Sequence, residues 1–399
     1  MTESSFYPSS ASPNAFREKE HAPNQCFGME IVPGTRCQLQ CEACYKRTRE
    51  RIAVACQTEN TQEDTPLADA TDYISQAQEA GFREVALLGG EPTLHQDVFR
   101  IIHHIRDKNM TPILATNGIR FAKDGEAEKL EGTAPVIVTH AYIPENGNGE
   151  HRSIDAYSGR KGYAQLLRRA LENLTRLKDV TLVLEMPLVD SLYPHAFEFF
   201  RYCRERQIVP FIEISRSNDR GQPTSSVTPE QIRELFERFQ AFDAEHFPEK
   251  AAQHIHPPAY GNPCTMPITG VHVKNFGNGD YGGVYSCCAQ SVRHGDLQKE
   301  PLTEILKSPT LAVYRNQDTY IVGPCRDCEL YDTCKGGCRG EAVLRFGCPR
   351  ASSPACDRIP EGIRHDPKLM APQSCEGCPS QHAEGCSLPN TNHDDAISH

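Results

Sequence analysis

The chain has 18 cysteines in 399 residues, and their spacing is the first sign of chemistry. Cys37, Cys41 and Cys44 form a CxxxCxxC string followed by Tyr45. Cys325, Cys328, Cys334 and Cys338 form Cx2Cx5Cx3C, with Cys356 downstream and Cys264 and Cys287 upstream. Cys375, Cys378 and Cys386 make a third group. Structural zinc wants four protein ligands. The first string offers three, with no obvious fourth nearby, which suits an iron–sulfur cluster with one iron left open. Zinc stays an alternative on spacing alone, because it takes thiolates freely. Disulfides belong to oxidising compartments. The opening MTESSFYPSSASPNAFREKE has no apolar core of a secretory signal, so metal ligation in the cytoplasm is the expectation. Cys26, Cys56 and Cys203 have no partner spacing and read as structural thiols.

These ligands need a scaffold, and the sequence supplies a regular one. Residues 1–25 are polar and rich in Ser and Pro, and read as disordered. Strand patterns are expected at Met29–Val32, Glu84–Leu88, Ile113–Thr116, Val136–Tyr142, Thr181–Met186 and Val209–Ile214. Helix patterns lie between them, at Pro66–Ala80, Asp97–Lys108, Phe121–Leu130, Tyr163–Leu177 and His195–Arg206. A further helix starts at Thr228-Pro229-Glu230, with a Thr cap and Pro in the first turn, and runs to about Glu245. Six β-then-α units predict an α/β fold, a partial (β/α)6 TIM-like barrel over 26–245. In such barrels the chemistry sits in the loops after the strands. Cys37–Cys44 follows the first strand, Gly89-Gly90-Glu91-Pro92 the second and Thr116-Asn117 the third. From 257 to 386 Cys, Gly and Pro dominate, which predicts a small Cys-rich iron–sulfur domain, with a polar tail at 387–399.

The composition excludes several classes. No run approaches 18 apolar residues, so no membrane span is expected. The formal charge of −11 offers no chain-wide basic footprint for nucleic acid. Lys46, Arg47, Arg49 and Arg51 read as a solvated helix face, or as a docking patch for an acidic reductant.

CxxxCxxC with a following aromatic, after the first strand of a β/α barrel and followed by Gly89-Gly90-Glu91-Pro92, resembles the radical S-adenosylmethionine (SAM) enzymes. The resemblance implies a [4Fe-4S] cluster on Cys37, Cys41 and Cys44, with its open iron held for SAM. It also implies that the 89–92 loop contacts the methionine end of SAM and that Tyr45 lies beside the adenine. Thr116-Asn117-Gly118 and Asp155–Tyr163 (DAYSGRKGY) fit the same family. At the end of the fourth strand His140 departs from the family's usual serine, and reads either as substrate-facing or as a structural histidine. The Cx2Cx5Cx3C string resembles the SPASM domain of many such enzymes, which implies two auxiliary [4Fe-4S] clusters. Cys325, Cys328, Cys334 and Cys356 would hold the second. Cys264, Cys287 and Cys338 would hold the first, with Gly270 near the place of the usual fourth ligand and Cys288, Cys348 or a tail cysteine as substitutes. Sulfatase-maturating relatives carry an aspartate base where Cys288 stands. Cys288 therefore reads as a hydrogen donor or base, or alternatively as a ligand or inert thiol.

The implied activity is reductive cleavage of SAM to a 5′-deoxyadenosyl radical that takes a hydrogen atom from substrate. A flavodoxin or ferredoxin-type protein would supply the electron. A ribosomally made peptide or protein is the expected substrate, crosslinked or oxidised at a side chain. A small-molecule dehydrogenase or epimerase, acting for example on an aminoglycoside or sugar, is the alternative. A non-catalytic zinc or electron-transfer protein is the alternative of another class, and it predicts no SAM cleavage.

Overall fold

The computed structural model describes residues 24–44, 63–143, 152–214, 225–249, 266–288, 290 and 292–374. Six parallel strands come first: β1 (Cys26–Val32), β2 (Glu84–Gly89), β3 (Thr111–Ala115), β4 (Val136–His140), β5 (Thr181–Leu188) and β6 (Val209–Ile214). The helices between them are α1 (Leu67–Glu79), α2 (Val98–Asp107), α3 (Arg152–Ser158), α4 (Tyr163–Leu174) and α5 (Ala196–Glu205), and α6 (Pro229–His246) follows β6. α6 begins with the expected cap. Thr228 Oγ1 accepts from Gln231 N at 3.2 Å, and Thr228 N donates back to Gln231 Oε1 at 2.8 Å.

One expected helix is absent. Phe121–Leu130 instead forms two short 3-10 turns, Ile119–Ala122 and Glu128–Leu130. The sequence between them, Lys123-Asp124-Gly125, breaks the helical run, and Gly125 takes a positive φ of 79°. The fourth strand also ends two residues earlier than expected, at His140.

Strand alternation sorts the side chains. Phe27, Met29, Ile31, Val85 and Leu87 face the helices and join one large core with Ile74, Ile101, Ile105, Leu167 and Leu171. In α4, Tyr163, Ala164, Leu167, Ala170, Leu171 and Leu174 recur at helical spacing and are buried on that side. Each such leucine contributes about 1.5–3 kcal/mol on burial. The opposite face of the sheet has its own apolar lining of Ala86, Ile113, Val136, Val138 and Val183, joined by Cys26, Met266 and Cys287.

The barrel is not closed. β1 does not meet β6. Its other edge pairs in parallel with β7 (Val271–Lys274), in the register Gly28↔His272. β8 (Gly283–Tyr285) and β9 (Gly295–Asp296) continue antiparallel, giving the order β6-β5-β4-β3-β2-β1-β7-β8-β9. The Cys-rich region thus grows from the edge of the barrel sheet. It continues through α7 (Pro309–Arg315) and α8 (Arg339–Phe346), with a small core of Ile321, Ala342, Phe346 and Met370. The architecture is the expected one, an α/β partial barrel followed by a small Cys-rich region.

Candidate active site and iron–sulfur centres

The C-terminal ends of β1, β2 and β3 carry three loops that are laced together. In the first loop Cys37 is exposed, Cys41 buried and Cys44 half-buried. Glu91 N donates to Arg36 O at 3.0 Å, and Gln40 N and Glu42 N donate to Ser158 O and Tyr157 O at 2.8 and 2.9 Å. Asn117 Nδ2 donates to Gln38 Oε1 at 2.9 Å and lies 3.8 Å from Cys37 Sγ.

The paired glycines are required by this packing. A Cβ on Gly90 would strike the Arg36 carbonyl, and one on Gly89 the Val32 carbonyl. Gly89 also takes φ +141°, a region that side chains disfavour. Glu91 is 1% exposed and gathers donors from both neighbouring loops. Its Oε1 accepts from Thr93 N (3.0 Å), Thr93 Oγ1 (2.5 Å) and Thr116 Oγ1 (2.7 Å), and its Oε2 accepts from Asn117 N (2.6 Å). Burial pushes this carboxyl up, and the four hydrogen bonds pull it back toward the charged form. The carboxylate is turned inward and joins the loops. Pro92 opens the 3-10 turn Pro92–Leu94, for which Glu91 is the cap.

Below the cysteine loop lies an aromatic group. His140 Nδ1 is 4.0 Å from Cys41 Sγ, and the edges of Tyr157 and Tyr163 flank the imidazole at 5.9 and 5.8 Å between ring centroids. Burial lowers the His140 pKa to about 4, so the ring is neutral at pH 7. Tyr163 Oη donates to Asn117 O at 2.8 Å. The sequence singled out the stretch 155–163 but not its two tyrosines. Asp155 in that stretch caps α4, accepting from Gly162 N at 2.5 Å and Ala164 N at 2.8 Å. Tyr45 and the basic run Lys46, Arg47, Arg49 and Arg51 lie outside the described residues, as does Cys56.

Further along, one cavity is lined by Cys325, Cys328, Cys334 and Cys356, together with Tyr331, Ser353 and Arg358. Cys338, the last of its string, is not part of that lining. It caps α8, its sulfur 3.4 Å from Glu341 N. The loop around the cavity is propped from within by Arg339, 1% exposed, which donates to the carbonyls of Pro349 (3.0 Å), Ala351 (2.6 Å) and Gly336. Burial pushes the Cys334 thiol up to about 12 and raises Cys356 as well, so iron must displace their protons on binding.

Among the described residues, no three His, Cys, Asp or Glu side chains converge to hold a single ion. Zinc would draw its four thiolates to about 2.3 Å from one point. Four thiols spread around a cavity suit a wider iron–sulfur cluster.

The remaining cysteines are distributed as follows. Cys287 is buried just beyond β8, and Cys288 beside it is half-buried. Cys264, Cys375, Cys378 and Cys386 lie outside the described residues. Gly270 could not offer a ligand, since its Cβ would sit 2.8 Å from the Cys26 carbonyl oxygen. Cys348 is 1% exposed, and Cys26 and Cys203 are buried in apolar clusters.

The sequence reading missed a polar set on the inner face, where Glu30 meets His272 at 2.9 Å and Lys274 Nζ donates to Gln290 O at 2.6 Å. Strict alternation along β1, with Glu30 on the face of Cys26 and Gly28, was the available signal.

Residues 31–200 match the Radical SAM superfamily, and residues 263–329 match SPASM, an iron–sulfur cluster-binding domain. The chain therefore carries a radical SAM domain followed by a SPASM domain, as its motifs indicated. It is 25% identical to the PqqA peptide cyclase of Gluconobacter oxydans (strain 621H) over 355 residues, 85% of this chain and 93% of that one. It is 24% identical to the AdoMet-dependent heme synthase of Nitratidesulfovibrio vulgaris over 336 residues, 76% of this chain and 88% of that one. The fold is similar to anSMEcpe solved with AdoMet and the Cp18Cys peptide, with TM-score 0.60 and 16% identity over 80% of this chain and 90% of that one. It is also similar to Streptococcus suis SuiB bound to S-adenosylmethionine, with TM-score 0.60 and 16% identity over 86% of this chain and 81% of that one. Among the described residues no helix is long and apolar enough to cross a membrane.

Proposed function

We propose that this enzyme modifies a ribosomally made peptide or protein, forming a crosslink or oxidising a side chain. The reading is carried by likeness to a peptide cyclase over nearly its full length, in a chain whose three strand-end loops form one hydrogen-bonded unit. Cys37, Cys41 and Cys44 would hold the SAM-binding [4Fe-4S] cluster. Two auxiliary clusters would be held by Cys325, Cys328, Cys334 and Cys356, and by Cys287 and Cys338 with Cys264. When bound and reduced, the first cluster and SAM supply a radical that takes a hydrogen atom from an unactivated C–H bond.

The protein's part is placement. Glu91 fixes Thr116 and Asn117 against the first loop, and Asn117 in turn braces Gln38 beside Cys37. His140, Tyr157 and Tyr163 wall the space under Cys41 and would help keep water from a radical formed there. Cys288 would give a hydrogen atom or take a proton near the substrate. A flavodoxin or ferredoxin-type protein would deliver the electron.

The test is anaerobic incubation of the reconstituted enzyme with SAM and reductant, following 5′-deoxyadenosine, and then with short peptides encoded beside its gene. SAM cleavage coupled to a mass change in such a peptide supports the reading. No SAM cleavage would sink the radical chemistry. The likeness to a heme synthase favours a second reading, modification of a small molecule, and cleavage coupled to such a substrate but not to peptide would select it.

A further inference from the structure

We propose that Arg315, with His294, Gln290 and Ser286, forms a half-buried positive charge and donor set that seats the auxiliary cluster held by Cys287 and raises its reduction potential. This rests on the iron–sulfur reading above.

Arg315 ends α7. Its Nε and Nη2 are shut off from solvent and donate to nothing. Among the described residues no acidic side chain offsets its charge, and burial lowers its pKa to about 10, so it remains a cation at pH 7. Two covered guanidinium nitrogens left without acceptors are costly and call for an anion.

The surrounding groups make the same demand. His294 is 8% exposed, and its Nδ1 lies 2.7 Å from Thr310 Oγ1, which itself lies 2.8 Å from Ser308 Oγ. His294 Nε2 has no partner among the described residues, and in the tautomer where Thr310 Oγ1 donates to Nδ1 it carries the hydrogen. Burial and the Arg315 charge hold this imidazole at about 4, hence neutral. Gln290 is fully buried. Its Oε1 accepts from Tyr314 Oη at 3.0 Å, while its Nε2 is unpartnered. Ser286 is also fully buried, and its Oγ is unpartnered.

These groups are linked to one another and to Cys287. Tyr314 packs edge-on against His294 at 5.5 Å, Gln290 N donates to Cys287 O at 3.1 Å, and Ser286 directly precedes Cys287. A cluster on thiolates is negatively charged, and its sulfurs accept hydrogen bonds. Both the neighbouring charge and the donors stabilise the reduced form.

The experiment is potentiometric titration with EPR detection on the reconstituted holoenzyme, without SAM or peptide. It compares wild type with Arg315→Met, Arg315→Lys, His294→Gln and Cys287→Ala. Arg315→Met is expected to move one cluster to lower potential, namely the cluster missing from Cys287→Ala. Arg315→Lys restores most of the shift. Loss of that one cluster's iron in Arg315→Met, with normal circular dichroism and the other cluster signals intact, also supports the proposal. Unmoved potentials overturn it, and so does a shift in a cluster that survives Cys287→Ala. Should Arg315→Met fail to fold, Arg315→Lys and His294→Gln carry the test. A smaller downward shift of the same cluster supports the proposal, and no shift overturns it. Unchanged potentials with weakened binding of a carboxylate-bearing substrate would reassign the donors to substrate. Failure to cleave SAM while the potentials behave as expected counts against the proposed function and leaves this inference standing.

Discussion

Glu30 and His272 are 242 positions apart in the sequence and 2.9 Å apart in the fold. Both are almost fully buried, and they join the first strand of the barrel to the first strand of the Cys-rich region. Asn275 N adds a second donor to the same carboxylate at 3.3 Å. Gly28 makes the pair sterically possible, because a Cβ there would lie 2.5 Å from His272 Nδ1. His272→Ala strands a buried carboxyl and should cost about 3 kcal/mol. Gly28→Ala should displace the imidazole and act in the same direction. A fall in thermal midpoint for both variants checks this, and an unchanged midpoint for both would show that the seam is held elsewhere.

The cavity lining makes the ligand set of one cluster testable by metal analysis. Cys356→Ala should lose about four of roughly 12 iron per reconstituted chain. Cys348→Ala should keep its full complement, since Cys348 is not among the lining residues. Iron and sulfide assays on the two variants read this directly, and a full iron complement in Cys356→Ala would exclude Cys356 as a ligand.

Glu91→Gln keeps the side chain's shape but turns one acceptor oxygen into an amide donor facing Asn117 N or the Thr93 and Thr116 hydroxyls. Positioning residues around a metal site typically cost 10–100-fold in affinity or activity when altered. A loss of about that size in 5′-deoxyadenosine formation, with iron content retained, is the expected result.

Cys288→Ala should leave the iron count and SAM cleavage near wild type and slow product formation. Product and 5′-deoxyadenosine measured in the same reaction would show the two uncoupled. A proportional fall in both, with iron lost, would make Cys288 a ligand.

Much of this arrangement was legible because local patterns dictate it. The β-then-α alternation, the Thr228 cap and the Gly89-Gly90 pair are each governed by residues close in sequence. The 121–130 stretch misled because its apolar spacing suits a helix while Asp124-Gly125 favours a turn, and the turn prevailed. Pairing of β1 with β7 was hidden, since no local signal marks which distant strand fills an open edge. The inner polar set around Glu30 arises from that long-range pairing, so Glu30 and His272 looked ordinary in the sequence, whereas under Cys41 His140 was marked and only its packing against Tyr157 and Tyr163 was hidden.

The place of β1 inside the nine-stranded sheet has a consequence during synthesis. On a ribosome, residues 26–32 emerge early, but the strand that covers their second edge ends at residue 274. At about 5–20 residues per second that edge stays bare for something like 10–50 seconds. It is an apolar strand, CFGMEIV, with unpaired backbone donors and acceptors, the kind of surface that recruits other chains. Fragments that stop after α6 should therefore self-associate, and the nascent chain should depend on holdase chaperones until residue 274 has cleared the exit tunnel.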